Sequence, residues 1–506
     1  MILSINENKI VNLISHAILT TGSIWLEENY LKQWSYRRKI SLALLPYLVD
    51  QNELRRLYID SKYYYTLPKY DMWETYAAFD AMRILSKYNI SVPDSKIEHY
   101  IIEAENITGK SLHEQQKKAV YMAVKSGICV ITGGPGTGKT CVVETITYVL
   151  QHIFFDIDIR FTAPTGKAAK RITESTGNPA KTTQKELGIT EANPHKKMFG
   201  GNVLICDEVS MADQETIYYV FRAIANGQKI IIIGDIDQLP SVGPGAVLRD
   251  LIDSGHIPTV MLTKTFRQAK DSNFFGNILK IKNGESDLTA GDDFEIISAE
   301  EDALKQLVNL YLQEYEKYGP ENIACLLPYR QSGVLCSDNL NSVIQDIVNP
   351  IYTRPHFVTT NERGREFKLS AGDPVMQLKN REECANGDVG IVESCQNGKL
   401  IVKFPEGRVT YTQDTVRSLC LAYAMSIHKS QGSEYKSVLI GVTMAHKKLL
   451  NRNLLYTGVT RAMERCVLLQ DEQAVRLAIQ TEEQYERCTF LTDKLNYYYK
   501  KLIYCT

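Results

Sequence analysis

The stretch Cys129–Thr140, CVITGGPGTGKT, decides the fold of the chain. The apolar run Ile128–Ile131 predicts a buried parallel strand, and the residues that follow Thr140 predict a helix. Between them, from Gly133, lies the pattern G-x-x-x-x-G-K-[ST], whose glycines let backbone N–H groups converge on one anion. The start of the helix adds unpaired donors and the positive end of its dipole. The stretch therefore predicts a site for the phosphates of a nucleoside triphosphate.

The residues of this loop have separate expected tasks. Lys139 is predicted to contact the β- and γ-phosphates, and Thr140 to offer its hydroxyl to Mg²⁺. The alternative, a glycine turn that merely joins a strand to a helix, does not require the complete pattern. The predicted nucleotide-binding residues of the loop are Gly133, Gly134, Pro135, Gly136, Thr137, Gly138, Lys139, Thr140 and Cys141.

Composition limits the class of protein. A chain of 506 residues has the size of about two to four domains, and 44% hydrophobic with 23% charged residues is typical of globular proteins. No apolar run is long enough for a membrane span, and the N-terminus lacks a signal-peptide pattern. The 11 cysteines form no C-x-x-C pair, which argues against zinc, iron–sulfur and disulfide frameworks and favours the cytoplasm. Because the net charge is −1, any nucleic-acid site must be a local basic channel.

Two further buried strands end in polar residues. GNVLICDEVSM (201–211) ends in Asp207 and Glu208, two adjacent acids that are costly to bury without a metal or a cationic partner. In a P-loop fold the first acid holds Mg²⁺ and the second polarises the attacking water. KIIIIGDIDQLP (229–240) brings Gln238 to a strand end, where it could sense the γ-phosphate.

Two stretches admit two interpretations each. In IDIRFTAPTGKAAKRI (157–172) the loop before Lys167 lies at the carboxyl edge of a predicted sheet, where a nucleic-acid backbone could pass. A capped helix with a basic solvent face is the alternative. Gln116 lies on an amphipathic helix, where its amide could bond a purine edge or remain an ordinary exposed side chain.

The regions outside this core differ in pattern. Residues 1 to about 105 are mostly helical in pattern, with basic residues and Tyr63–Tyr65 that suit either nucleic-acid contact or a solvated, half-buried surface. Residues 347–418 contain short alternating runs that predict a small β-barrel inserted into a second α/β unit. Hairpin turn signals separate these runs, at Asn386-Gly387-Asp388, Asn397-Gly398 and Pro405-Glu406-Gly407. The C-terminal tail predicts a docking helix.

From about 105 to 470 the chain resembles the superfamily 1B helicases of RecD-like type, to which Dda-type phage helicases are related. The P-loop alone indicates an NTPase, whereas GDIDQLPSVGPG, IHKSQG and YTGVTRA in series are specific to the family. Seven motifs follow the family's order: LHEQQKKAV, GGPGTGKT, TAPTGKAAKR, LICDEVSM, GDIDQLPSVGPG, LTKTFRQ with the later AYAMSIHKSQGSEY, and LLYTGVTRA.

The resemblance implies an α/β fold of two RecA-like P-loop domains with ATP between them, an inserted SH3-like β-barrel and a helical N-terminal domain. The implied domains are 1–105 (helical, winged-helix-like), 106–262 (domain 1A, with a short pin 1B at about 185–200), 263–346 with 419–506 (domain 2A) and 347–418 (domain 2B, SH3-like).

The resemblance also implies the roles of individual residues. Gln116 would read the adenine, Thr140 and Asp207 would hold Mg²⁺, and arginines from the second domain would act as fingers that stabilise transition-state charge. The implied catalytic residues are Lys139, Glu208, Gln238, Arg267 and Arg461. The implied DNA-binding residues are Pro164, Thr165, Lys167, Thr183, His428 and Lys429.

The function implied is that of an ATP-dependent DNA helicase that moves 5′ to 3′ on single-stranded DNA and unwinds duplex, in replication, recombination or repair. Its expected cofactors are ATP and Mg²⁺, and its expected partners are single-stranded and forked DNA, with no membrane. A monomeric motor in a bacterial or phage-infected cell is expected, with recombination or replication proteins as further partners. The alternatives are an ATP-switched single-strand-binding protein, a motor subunit of a larger recombination complex, and RNA as the substrate.

The chain departs from the family at two places. Relatives usually show T-I-H after TAPTGKAAKR, whereas Thr182-Thr183-Gln184 stands here, so the strand contact of Thr183 is in doubt. The candidate pin, KELGITEANPHKKMFG (185–200), is short, and would split duplex weakly or leave the splitting to the barrel. The chain contains no H-x-H, which disfavours an attached relaxase nuclease of the histidine-pair type.

Overall fold

The computed structural model describes residues 4–189, 198–266, 272–351, 355–361, 364–379, 381, 383, 384, 386–396, 398–405, 407–482 and 487–503. Four sequence predictions therefore concern residues outside the described ones. They are the finger role of Arg267, the middle of the candidate pin at 190–197, and the turn residues Asn397 and Glu406.

The region before the P-loop consists of helices around a small antiparallel sheet with the strand order β1-β3-β2. Its helices and strands are α1 Ile5–Thr21, β1 Leu26–Glu27, α2 Glu28–Arg38, α3 Leu45–Asp50, β2 Arg55–Ile59, β3 Lys62–Thr66, α4 Pro68–Ser86 and α5 Asp94–Thr108. Trp25, Leu31 and Leu48 lie in its core. Helix α4 begins in that core with Tyr70 and Trp73, but it also packs against the helix Gln214–Ala223 of the next unit, and α5 packs against the helix Lys139–Ile153.

The first α/β unit is a parallel sheet with the strand order β6-β5-β7-β8-β4-β9. Its helices and strands are α6 Glu114–Lys125, β4 Ile128–Gly133, α7 Lys139–Ile153, β5 Ile159–Ala163, α8 Gly166–Thr176, β6 Ala180–Thr182, α9 Thr183–Leu187, β7 Val203–Cys206, α10 Gln214–Ala223, β8 Lys229–Gly234, α11 Val247–Asp253 and β9 Thr259–Leu262. The strands β4, β7 and β8 are buried along their whole length, because helices cover both faces of the sheet. Helix α9 takes up the first residues of the predicted pin.

The second unit is also a parallel sheet, with the strand order β10-β21-β20-β11-β19, so the prediction of an α/β core is confirmed. Its helices and strands, with those of the insert, are α12 Asn273–Asn283, β10 Phe294–Ser298, α13 Ala303–Tyr318, β11 Ile323–Leu327, α14 Ser337–Val348, β12 His356–Thr360, β13 Glu366–Ser370, β14 Pro374–Gln377, β15 Val389–Gln396, β16 Lys399–Phe404, β17 Gly407–Tyr411, β18 Leu419–Leu421, β19 Ala424–Ser426, β20 Tyr435–Val442, α15 Arg452–Val459, β21 Ala462–Gln470 and α16 Glu472–Gln480.

The insert is antiparallel throughout its described strands. Strands β12 and β13 form a ribbon, and the other strands form a sheet in the order β17-β16-β15-β14-β18. Its last strand, Leu419–Leu421, lies just past the predicted boundary at 418. Leu400 and Val402 of the insert share one apolar cluster with Leu307 and Leu327 of the second unit. The insert therefore shares its core with the unit that carries it.

The last described helix, α17 Leu491–Ile503, returns to the first unit. The prediction assigned residues up to 506 to the second unit, whereas α17 packs against α4 and α11. The reason is its apolar stripe, since Leu491 and Leu495 are fully buried in the cluster that holds Leu251 of α11. In the described residues, no helix combines the length and the apolar character that a membrane crossing requires.

Candidate functional site

The candidate site lies at the carboxyl edge of the first sheet. Strands β4, β5, β7 and β8 all end at this edge, and each is followed by residues that the sequence singled out. A small cleft there is lined by Lys139, Thr140 and Asp207 among others. Parallel pairing in register thus brings together residues that lie far apart in the chain.

The P-loop takes the conformation that its glycines permit. Gly136 and Gly138 have φ of 73° and 77°, in the left-handed region that favours glycine. The ammonium of Lys139, the first residue of α7, donates to the carbonyl oxygens of Gly133 and Gly134, the latter at 3.2 Å. Thr137 donates to Gly134 O at 2.8 Å. The lysine side chain thus lies across the loop. Pro135 lies within the loop, and the half-buried Cys141 follows it.

Asp207 and Glu208 follow β7 directly. Burial and the neighbouring charge of Glu208 raise the pKa of Asp207 to about 6, although Lys139 and Arg171 oppose the shift. Glu208 has φ of 53°, a strained conformation for a residue other than glycine.

A desolvated carboxylate near the Thr140 hydroxyl suits Mg²⁺, which takes oxygen ligands and keeps several waters. No group of three or more His, Cys, Asp or Glu that could hold a metal ion occurs among the described residues. Thr140 and Asp207 are the pair that fits the ion, because Mg²⁺ beside a phosphate needs few protein ligands.

The second unit reaches this edge through Tyr456, a residue of α15 that the sequence analysis did not select. Its hydroxyl donates to Asp235 Oδ2 at 3.0 Å, and a Cβ on Gly134 would lie 2.8 Å from that hydroxyl. Gln238 Nε2 donates to the same carboxylate oxygen at 3.3 Å. Gln238 Oε1 is buried and has no hydrogen-bond partner in the described part of the chain, so it is available to a ligand. Both Tyr456 and Asp235 stand inside motifs already quoted, and that was the signal that could have identified them.

Gln116 is buried under the P-loop and is not an exposed side chain. Its Nε2 donates to Thr137 O at 3.2 Å, and its Oε1 accepts from His113 N at 2.9 Å. The amide thus links the loop to the start of α6. Contact with an adenine requires that it exchange these partners.

Arg461, predicted as a finger, is buried within the second unit. Its guanidinium donates to Thr457 O at 3.0 Å, Ser433 O at 3.2 Å and Thr460 Oγ1 at 3.3 Å. A contact with a phosphate therefore requires a change of rotamer that breaks these bonds.

The predicted DNA-binding residues lie on both units. Thr165 accepts the Ala168 N–H as the N-cap of α8, next to Pro164. Lys167 donates to the Tyr435 hydroxyl of the second unit at 3.1 Å. Thr183, which stands where relatives show isoleucine, is buried and donates to Ala163 O at 3.3 Å, so it supports the loop.

His428 and Lys429 follow β19 in a short 3-10 turn. Burial lowers the pKa of His428, so its ring is neutral near pH 7. Lys429 donates to Asn386 Oδ1, at 3.1 Å, in the predicted turn of the insert. A cavity of about 650 Å³ lies between α8, the insert and the second unit. Its wall carries cations and carboxylates in equal number: Lys167, Lys170, Arg171, Lys403, Glu174, Glu321, Asp388 and Glu434.

Two family profiles match the chain. One, described as an AAA domain, covers residues 111–302, and the other, described as a UvrD-like helicase C-terminal domain, covers residues 421–469. The chain is 32% identical over 361 residues to the ATP-dependent RecD2 DNA helicase of Deinococcus radiodurans, which covers 70% of this chain but only 48% of that relative. It is 28% identical to the RecBCD enzyme subunit RecD of Mycolicibacterium smegmatis, over 90% of this chain and 86% of the relative. The chain therefore spans about half of the first relative and most of the second.

Solved helicase structures also resemble the fold. A Pif1 helicase, from a structure of two such helicases unwinding forked duplex DNA, matches with a TM-score of 0.48 and 19% identity over 78% of this chain and 98% of that one. Bacteroides Pif1 bound to single-stranded DNA matches with a TM-score of 0.43 and 19% identity, over 72% and 94% of the two chains.

Proposed function

Because the chain belongs to the RecD-like helicases of superfamily 1B, we propose that it hydrolyses ATP to move 5′ to 3′ along single-stranded DNA and to unwind duplex DNA. The observation that carries this proposal is the meeting of Asp235 and Tyr456, from different units, beside the P-loop. A nucleotide bound at that place touches both units, so its arrival and its hydrolysis change their separation. DNA replication, recombination or repair in the cytoplasm is the proposed setting.

The first unit is proposed to bind the triphosphate through Lys139 and to hold Mg²⁺ through Thr140 and Asp207. The metal, when bound, neutralises charge on the phosphate oxygens and orients them. Glu208 is proposed to accept a proton from the attacking water, and Gln238 to respond to the γ-phosphate through its unpartnered oxygen.

The second unit is proposed to complete the site with Arg461 and Arg267, whose charge stabilises the transition state. Loss of the γ-phosphate removes the group that both units share, so the cleft opens and the grip on the strand alternates between units. Lys167 and Lys429 are proposed to hold strand phosphates, which position a strand without reading its sequence. The large cavity beside α8 supports this path because Lys167 lies on its wall.

Two finer assignments belong to the same proposal. The antiparallel sheet β14–β18 is proposed to be the SH3-like domain 2B, which is supported by its place between β11 and β19 of the second unit. The helices and the small sheet of residues 5–66 are proposed to form the N-terminal domain around their own core.

A second candidate is a motor subunit of a larger recombination complex. The specific support is that relatives named RecBCD subunits match along 70% and 86% of their own length. In that case the isolated chain hydrolyses ATP but separates strands only with its partners.

Forked duplexes with a single 5′ or 3′ tail test the proposal. Strand release that needs ATP and the 5′ tail is the expected result. ATP hydrolysis without release, even with added recombination proteins, would instead indicate an ATP-switched strand-binding protein, and release restored by those proteins would indicate the subunit. Matched RNA tails show which nucleic acid is the substrate.

A further inference from the structure

One face of α8 carries two cations that both reach the second unit. Lys167 and Arg171 are four residues apart and therefore lie on the same face of the helix. Lys167 Nζ donates to the Tyr435 hydroxyl at 3.1 Å and lies 4.6 Å from the centre of its ring. Arg171 Nη2 lies 3.0 Å from Oε1 of Glu434. Glu434 and Tyr435, which are adjacent residues of the second unit, thus contact adjacent turns of α8.

Arg171 also faces the catalytic edge of its own unit. Its Nη1 lies 3.9 Å from Glu208 Oε1, the carboxylate proposed to accept the proton of the attacking water. The guanidinium therefore stands between two carboxylates, Glu208 of the first unit and Glu434 of the second. Because its donors are held in one rigid plane, a displacement of one carboxylate is transmitted to the other.

The contact between α8 and the second unit is closely packed. Gly432 has φ of 73°, and a Cβ there would lie 3.1 Å from Thr165 Oγ1 and 3.2 Å from Ala168 Cβ. The side chains of Glu208 and Glu434 are 12% and 24% exposed, whereas that of Arg171 is 42% exposed, so solvent screens the bridge in part. The arrangement is a built interface that changes when the units separate.

We propose that Arg171 is a positioning residue that couples Glu208 to the second unit through Glu434, so that hydrolysis is fast only when the two units are in register on the strand. The inference rests on the proposed function and adds a coupling residue to it. Strand phosphates bound at the start of α8 and in the 428–429 turn draw the units together, and the Arg171–Glu434 bridge carries that closure to the attacking-water site.

The other role open to Arg171 is direct contact with DNA. Its side chain is 42% exposed and lines the large cavity, where a strand phosphate could meet it. The two roles differ in what Glu434 does. A strand ligand does not need Glu434, whereas a coupling residue loses its function when Glu434 is removed.

The test compares Arg171→Ala, Arg171→Lys, Glu434→Ala and the double alanine variant with the wild-type chain. Steady-state ATP hydrolysis is measured with and without saturating single-stranded DNA, and DNA affinity by fluorescence anisotropy. Arg171→Ala and Glu434→Ala should each lower the DNA-stimulated kcat about tenfold and leave the KM for ATP and the Kd for DNA within about twofold. The double variant should be no worse than Arg171→Ala alone, and Arg171→Lys should recover part of the rate because it keeps the charge.

Arg476→Ala is the matched control, since Arg476 forms an exposed ion pair with Glu472, at 2.7 Å, on α16. It should behave as the wild type does, and thermal melting should show that all variants fold. A Glu434→Ala variant with the wild-type DNA-stimulated rate overturns the inference. A loss of DNA affinity of about tenfold in Arg171→Ala alone also overturns it and makes Arg171 a strand ligand. Wild-type protein with DNA-stimulated hydrolysis but no strand release contradicts the proposed unwinding and leaves the coupling test intact.

Discussion

The two walls of the cleft are built in different ways. The centre of the first unit's wall is one contiguous stretch, Gly133–Thr140, whose shape follows from local glycine geometry. The second unit's wall depends on α15, which docks on the segment after β8. Asn453 donates to Asp237 O at 2.8 Å, and the N–H of Leu239 donates to Thr457 Oγ1 at 2.8 Å. A phosphate cradle can be encoded locally, whereas a group that reaches it from a second unit depends on tertiary packing.

The largest effect on ATP hydrolysis is expected from a substitution in the first unit's wall. Lys139→Ala should lower kcat for ATP hydrolysis by about 10³-fold or more, because it removes the charge directed at the transferred phosphate. A coupled ATPase assay with saturating DNA measures this. Lys305→Ala, an exposed lysine on α13, is the control and should keep the wild-type rate. Turnover near the wild-type value in Lys139→Ala would contradict the P-loop assignment.

A substitution in the second unit's wall should have a different effect on the kinetics of ATP hydrolysis. Arg461→Ala should lower kcat by about 10²- to 10³-fold and leave ATP affinity nearly unchanged, since a finger acts on the transition state. Because Arg461 also bonds Thr457 and Ser433, the melting temperature must be measured alongside, with Arg461→Lys as the conservative variant. Hydrolysis at the wild-type rate in Arg461→Ala would show that the residue is structural.

Removal of the contact between the two walls should have a smaller effect on the kinetics of ATP hydrolysis. Tyr456→Phe removes the hydroxyl that bonds Asp235 next to Gly134, so a nucleotide meets less competition there. The KM for ATP should fall about threefold with little change in kcat, as expected for one hydrogen bond. Tyr36→Phe, on the exposed face of α2, is the control. A KM that stays the same or rises would mean that this hydroxyl helps to bind the nucleotide.

The smallest expected effect concerns Asp250 of the first unit and the pH dependence of the free energy of unfolding. Burial, with the charge of Glu74 added, raises the pKa of Asp250 on α11 to about 8, and Asp250 Oδ1 accepts from Thr489 ahead of α17. The folded chain therefore keeps a proton that the unfolded chain releases near pH about 4. Hence the free energy of unfolding should fall as the pH rises from about 4 to about 8.

Asp250→Asn should remove this part of the pH dependence. Near pH 8 its free energy of unfolding should equal or exceed that of the wild type by about 1 kcal/mol. Urea unfolding at pH 6 and pH 8 measures both values, and Asp346→Asn, exposed on α14, is the control. An unchanged pH slope in Asp250→Asn would show that Asp250 is ionised in the folded chain.

Much of the fold was predictable because its signals are local. Near-continuous apolar strands predicted a parallel sheet, and turn signals such as Asn386-Gly387-Asp388 predicted the antiparallel insert. The packing partners of α4, α5 and α17 were not predictable. An amphipathic helix shows that it has a partner without showing which one, and α17 found its partners more than 200 residues upstream in α4 and α11.

The residues of the candidate site were also predictable only in part. Lys139, Thr140, Asp207 and Gln238 follow from motifs at strand ends, and the parallel sheet brings those ends to one edge. Their roles remain predictions. The burial of Gln116, in contrast, came from packing, because its amide is needed by the P-loop itself.

The sequence by itself determined the phosphate loop, the acids after β7, the α/β class and the helicase family, because each rests on residue types at short spacing. The tertiary structure alone decided that Tyr456 reaches Asp235, that Arg461 bonds within its own unit, and that Arg171 stands between Glu208 and Glu434. The contacts of Tyr456 and Arg171 join residues 37 to 263 positions apart, and no local preference specifies them. The contacts between the units depend on how the two sheets face one another, and the proposed motor activity relies on that arrangement.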